Sequence, residues 1–197
     1  MKKTILSIVS VFLWASVAQA GSVAWSVDKA HSEVSFKVRH LGLSNVRGHF
    51  NEFDATTMAD AKTGKITSVE ATAKTASVDT GMEKRDGHLQ SDDFFNAAKY
   101  PTLKAKLTSI KWKGDNFTAQ ATLTLRDITK KVTFKGELIG THKVNFGSGD
   151  QLRAGYQAET KINRKEFGLK FNSLAEGVSV VSDEVTIILD IQIYRSL

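Results

Sequence analysis

Strand-like alternation runs through this sequence almost from end to end, and it is plainest between His31 and Phe53, HSEVSFKVRHLGLSNVRGHFNEF. Val34, Phe36 and Val38 fall on one side while Glu33, Ser35, Lys37 and Arg39 fall on the other, the period of a half-buried strand. Gly42-Leu43-Ser44-Asn45 supplies turn residues, so the second run is expected to fold back antiparallel. A two-residue loop at Leu43 and Ser44 would set His40 opposite Arg47 and Val38 opposite His49. The hairpin then reads as one wall of a barrel, apolar inside, with a basic, histidine-bearing lip.

The same pattern recurs along the chain. A first short strand is read at Ser22–Val27, and 56–64 reads as a polar connection ending in the turn signal Lys62-Thr63-Gly64. A strand follows over 66–78, where Val69, Ala71 and Ala73 share a face. Gly114-Asp115-Asn116 separates strands at 102–113 and 117–126, and further strands are read at 130–139, 152–163 and 184–194. Only residues 80–101 break the alternation. There Thr80 with Glu83 fits a capping box, Gly87 divides the segment, Ser91-Asp92-Asp93 opens a second turn or helix, and Pro101 ends it. Leu89, Phe94, Phe95 and Tyr100 give this segment enough apolar surface to cover one end of a barrel.

About eight strands with short turns and no alternation with helices predict an all-β fold, an eight-stranded antiparallel barrel with a short helical segment at 80–101 over one end. Closure leaves no exposed sheet edges, which favours a barrel over a two-sheet sandwich. At eight strands the interior is either filled by side chains or holds one small ligand. Side-chain size favours a lumen, because Ala71, Ala73, Ala105, Ala119, Ala121, Ala154 and Ala158 recur on the inward faces.

Residues 1–20 are set apart from this fold. Lys2 and Lys3 precede an apolar stretch too short to span a bilayer, and Ala18-Gln19-Ala20 has the small-x-small form of a signal-peptidase site. Cleavage after Ala20 and export are expected, leaving 21–197 as one domain. The whole chain has 27 Lys and Arg against 21 Asp and Glu. Loss of Lys2 and Lys3 leaves 25 against 21, a mature net charge of +4. With no cysteine, disulfides, thiol nucleophiles, thiolate metal sites and a lipid-anchored N-terminus are excluded. The basic surplus suits an anionic head group or a membrane surface. No stripe of Lys and Arg interleaved with aromatics points to nucleic acid.

The segments HSEVSFKVRHLG, VRGHF, SVDTG, RDGHLQSDDFFNAAKYP, LTLRDITKKV, INRKEFG and SDEVTI follow one another in the order and spacing of the YceI-like, polyisoprenoid-binding family. The resemblance covers the chain from Trp25 to Ile193. It implies a lipocalin-like eight-stranded barrel whose lumen holds a long amphiphile, a polyisoprenoid or an isoprenoid quinone, in a protein exported to the periplasm. Two positions depart from the family pattern: Asp127 stands where glycine is usual in the LTLRD turn, and Lys131 where proline is common. Aspartate tolerates a turn conformation.

A carrier of this kind needs an apolar wall for the tail, and the candidates are Phe36, Val38, Phe50, Val69, Ala71, Leu103, Ala119, Ala121, Leu123, Phe134, Ile187 and Leu189. For the head group the candidates are His40, Arg47, His49, Arg85 and Arg164, since arginine offers forked donors to phosphate or carbonyl oxygens and histidine can donate to either. His31, His40 and His49 are nine residues apart, but no metal-ligand spacing supports a metal site. No cofactor is expected beyond the bound lipid. No nucleophile elbow or paired-acid motif marks an enzyme, and no catalytic residue is assigned. An enzyme acting on an isoprenoid lipid and an exported stress or partner-binding protein with a packed lumen are the alternatives. Transient contact with a membrane surface and a homodimer are compatible with the resemblance.

Overall fold

In the computed structural model, which describes residues 21–147, 149–175 and 177–197, residues 22–79 form three long arms, each broken once. β1 (Ser22–Val27) and β2 (Glu33–His40) make one arm, interrupted by a 3-10 turn at Lys29–His31. β3 (Ser44–Phe50) and β4 (Phe53–Asp60) make the second, and β5 (Ile66–Lys74) and β6 (Val78–Asp79) the third. β4 pairs with β1 and β5, whereas β3 pairs with β2 and β6, so the breaks lie side by side. Hydrogen bonds stitch two of them together: Asn51 N–H donates to Ser77 O, Glu52 N–H to Ser77 Oγ and Lys74 N–H to Glu52 O. The predicted signal segment, residues 1–20, lies outside the described residues.

Unbroken strands complete the sheet: β7 (Thr102–Lys113), β8 (Asn116–Leu125), β9 (Ile128–Asn145) and β10 (Asp150–Asn163), then, after the small hairpin of β11 (Leu174–Ala175) and β12 (Val178–Ser179), β13 (Val181–Ser196). β13 pairs with β10 along one edge. Its other edge takes β2 as far as Asp190 and then β1 at Ile193 and Tyr194. Counting each broken arm as one strand, the result is a closed eight-stranded antiparallel barrel. The one α-helix among the described residues, α1 (Glu83–Gln90), lies with the turns that follow it across one end.

Several sequence expectations are corrected. Residues 56–60, read as a polar connection, belong to β4: Thr57 and Ala59 are buried, but small polar residues hide the alternation in FDATTMAD. The strand expected over 66–78 is interrupted at Thr75–Ser77. No capping box forms, because Met82 is the N-cap and makes no side-chain bond. Asp86 instead turns back to accept from the Thr80 N–H at 2.9 Å. Gly87 lies within α1 rather than dividing the segment, and Ser91 onward forms turns, not a second helix. In the β8–β9 turn the left-handed position is Arg126, with φ +56°, and not Asp127. Arg126 Nη1 donates to Gly168 O at 2.9 Å and Phe94 O at 3.2 Å, anchoring the turn under the cap.

The opening hairpin has a three-residue loop, Leu41-Gly42-Leu43, so that His40 faces Ser44, Val38 faces Val46, Lys37 faces Arg47 and Ser35 faces His49. Leu41 and Gly42 both have positive φ, 51° and 71°, and the Leu41 N–H donates to Val180 O at 3.1 Å. This tertiary bond and the Leu43 N–H, which donates to His40 O at 2.9 Å, hold the longer loop. Pairing then shifts by an odd number of residues from the expected register, which turns the second strand over relative to the first.

Two apolar clusters divide the interior. One, around Phe50, Phe94, Phe95, Leu125 and Phe167, packs the barrel beneath α1. The other, Trp25, Ala59, Leu138, Ala154, Tyr156 and Ile193, packs the far end. There the Tyr156 hydroxyl donates to Gly64 O, and burial raises its pKa above the ordinary phenol value.

Candidate functional site

The barrel encloses a cavity of about 500 Å³, within the range of small-molecule sites. It exists because inward positions that could carry large side chains carry small ones. Ala71, Ala73, Ala105, Ala119, Ala121 and Ala158 all line it, while Ala154 belongs to the far-end cluster instead. A bulge in β7, between Leu107 and Ser109, keeps Ile110 on the lining beyond it.

All twelve residues expected against a tail lie on this wall. Phe36 and Val38 come from β2, Phe50 from β3, Val69 and Ala71 from β5, and Leu103 from β7. Ala119, Ala121 and Leu123 come from β8, Phe134 from β9, and Ile187 and Leu189 from β13. The five head-group candidates divide. His40, Arg85 and Arg164 reach the lining, whereas Arg47 and His49 lie on the outer face of β3. The three-residue loop is the reason: it puts Val46, Gly48 and Phe50 inward and their neighbours outward. Arg47 is exposed, and His49 Nε2 lies 3.0 Å from Asn51 Oδ1.

Of the three that reach the cavity, each has a different freedom. His40 follows Phe36 and Val38 on the inward face of β2. Arg85 projects from the first turn of α1. Its Nε donates to Thr80 Oγ1 at 2.7 Å and its Nη2 to Thr80 O at 2.8 Å, which fixes the plane of the guanidinium and leaves Nη1 to a ligand. Arg164 is buried and committed to the protein. Its Nε donates to Ser182 O at 2.9 Å, Nη1 to Leu169 O at 2.7 Å, and Nη2 to Val181 O and Asp183 Oδ1, both at 3.2 Å. Burial disfavours its charge and Asp183 opposes that effect. One N–H of Nη1 is all it has left.

His88 and Arg39 also line the cavity and were not singled out from the sequence. The His88 ring stands edge-on to Phe94 and Phe171, with centroids 5.1 and 5.0 Å away, and its Nε2 lies 2.8 Å from Asp93 Oδ2. The turns after α1 fold Asp93 and Phe94 back under the helix to His88, and the segment before β11 brings Phe171. Its sequence context carries no such signal.

His40, Arg85, His88 and Arg164 therefore gather where the β2–β3 hairpin, α1 and the segment before β13 converge, while most of the remaining lining is aliphatic or aromatic, with Asp54, Thr72 and Lys104 among its few polar members. An elongated apolar chain fits the second region, and a group that accepts hydrogen bonds fits the first.

The YceI-like domain profile matches residues 25–193. The protein YceI of Escherichia coli is 37% identical over 194 residues, covering 98% of this chain and 97% of that one. A crystal structure of the Campylobacter jejuni YceI protein superposes with a TM-score of 0.70 at 30% identity, covering 86% of this chain and 96% of that chain. A polyisoprenoid binding domain from Saccharophagus degradans shares the fold, with a TM-score of 0.61 at 15% identity, covering 89% and 99%.

Proposed function

This chain belongs to the YceI-like family, and we propose that it is a periplasmic lipid-binding protein that holds a long amphiphile, a polyisoprenoid or an isoprenoid quinone, in the barrel lumen. The observation that carries this reading is the apolar cavity of about 500 Å³, packed shut at the Trp25–Tyr156 end and bordered by Arg85, His88 and His40 at the other. The polyisoprenoid-binding domain with the same fold supports the choice of cargo.

Each methylene taken from water into the lumen contributes about 0.8 kcal/mol. Relative to a bilayer, which is as apolar as the lumen, that gain largely vanishes. Fit to the wall and hydrogen bonds to the head group must then supply the preference. Arg85 is the group best placed to give it, with Nη1 open and its plane held by Thr80. The role is to carry, store or sequester the lipid rather than to transform it, and the signal segment at 1–20 sends the protein to the periplasm. Lipid exchange brings the barrel transiently to a membrane surface.

Native mass spectrometry of protein purified from its own periplasm tests the reading. The expected result is one lipid of several hundred daltons per chain. A ligand-free chain, or multiple turnover of a prenyl pyrophosphate or quinone by the purified protein, overturns it.

A further inference from the structure

The exposed apolar side chains at the polar end of the cavity are not scattered. Leu43, 82% exposed, occupies the tip of the β2–β3 hairpin, and Leu174 and Val178, 60% and 49% exposed, occupy the β11–β12 hairpin. The Leu41 N–H to Val180 O bond ties the two hairpins together, and His40, Val180 and Val181 between them line the cavity. Three apolar prongs thus stand beside one mouth.

The arm that carries Leu43 is basic. From Val34 to Asn51 the sequence contains Lys37, Arg39 and Arg47 and no acidic residue. None of the three basic side chains forms a salt bridge among the described residues. An apolar tip on a cationic arm is the arrangement that seats a protein in the interface of an anionic bilayer, with the tip in the acyl boundary and the charges at the head groups. A second copy of this chain would bring like charges together on the same arm, which disfavours a dimer through this face.

We propose that Leu43, Leu174 and Val178, with Lys37, Arg39 and Arg47, form a docking surface for an anionic lipid bilayer at the mouth of the cavity. Its purpose rests on the lipid-carrier reading, since cargo insoluble in water must pass between lumen and bilayer without crossing solvent. Docking itself is measured apart from cargo.

The test compares the full mature protein with the variant Leu43→Ser/Leu174→Ser/Val178→Ser by flotation with vesicles of phosphatidylglycerol and phosphatidylethanolamine, and with vesicles of phosphatidylcholine alone. Uptake of a fluorescent polyene fatty acid in buffer is followed in parallel. The wild type is expected to float with the anionic vesicles and to lose binding as salt rises. The triple variant is expected to partition roughly tenfold less while taking up the probe as well as the wild type. Wild-type protein that takes up the probe but ignores anionic vesicles overturns the proposal, as does a triple variant that floats undiminished. A wild-type dimer that the triple variant converts to monomer, with vesicle binding unchanged, would assign the face to self-association and also overturn it. Failure of probe uptake alone removes the carrier reading, and flotation would still uphold the docking surface.

Discussion

Phe36 rests on a residue that has no side chain: its partner across the β2–β3 pairing is Gly48, where a Cβ would come within 2.5 Å of Phe36 Cζ and 2.7 Å of Thr80 Cγ2. The ring occupies that space and meets Phe50 with centroids 5.9 Å apart. Glycine here is a packing requirement, since bare backbone on an inward face is the only floor that fits the ring. Gly48→Ala is expected to push Phe36 toward the lumen and to cost about 1–3 kcal/mol, read as a lower urea midpoint. Combining it with Phe36→Ala should cost less than the sum of the two changes, because the clash with the ring goes while the approach to Thr80 Cγ2 remains. Strict additivity in urea denaturation would mean that the contact does not set this wall.

Ala121 tests the lumen itself. It is 6% exposed, lies on β8 between Leu107 of β7 and Val132 of β9, and lines the cavity. A phenyl group at this position has the cavity to grow into, so Ala121→Phe should fold with at most a modest loss, about 1–3 kcal/mol if repacking is incomplete. Lipid recovered with the purified variant, counted by native mass spectrometry, should fall well below that of the wild type. Undiminished occupancy in a folded variant would show that the ligand lies elsewhere.

Much of this barrel is written in the period-2 faces of β2, β7, β8, β10 and β13, where most inward residues are apolar and most outward ones polar. The lumen is legible too, because alanine on an inward face is a statement about volume. What escapes is whatever depends on distant partners. β4 is hidden because Thr57 and Ala59 are buried without being conspicuously apolar. The hairpin register goes with burial of Val46, Gly48 and Phe50 against distant parts of the barrel and with the bond from Leu41 to Val180, and it decides which face Arg47 and His49 take. His88 becomes part of the wall only when Phe171, 83 residues further along, arrives beside it. Local pattern thus yields the wall, and tertiary contacts choose the groups at its mouth.

Arg164 is a staple between the segment at Leu169 and the start of β13, and only secondarily a binding group. Arg164→Ala takes the side-chain donor from the Ser182 and Leu169 carbonyls, while Val181 O keeps Ser179 Oγ and Asp183 keeps Lys165, an expected loss of about 2–4 kcal/mol in urea denaturation. Arg164→Lys keeps the charge but not the fork, and should recover only a minor part of that loss. If the lysine variant were as stable as the wild type, charge rather than geometry would be holding the segment.

The break between β1 and β2 makes stability depend on acid. Asp28 sits at that break, where its carboxylate accepts from Arg153 of β10 and from Gln192 of β13 and lies 3.0 Å from His31 Nδ1. Arg153 is itself held over the rings of Phe146 and Tyr194. Burial alone would raise the pKa of Asp28, but the hydrogen bonds from Arg153 and His31 outweigh it and hold the carboxyl below its ordinary value. In the unfolded chain the same group titrates at about 3.9. A depressed folded value means that the charged form stabilises the native state: the contribution is fully present above about pH 5 and fades as pH falls through the unfolded and then the folded value. Asp28→Asn cannot carry that charge, so the gap in urea midpoint between wild type and variant should be widest near neutrality and close progressively below about pH 4. A gap that stayed constant from neutral to acid pH would show that Asp28 acts here as a hydrogen-bond acceptor whose charge is immaterial.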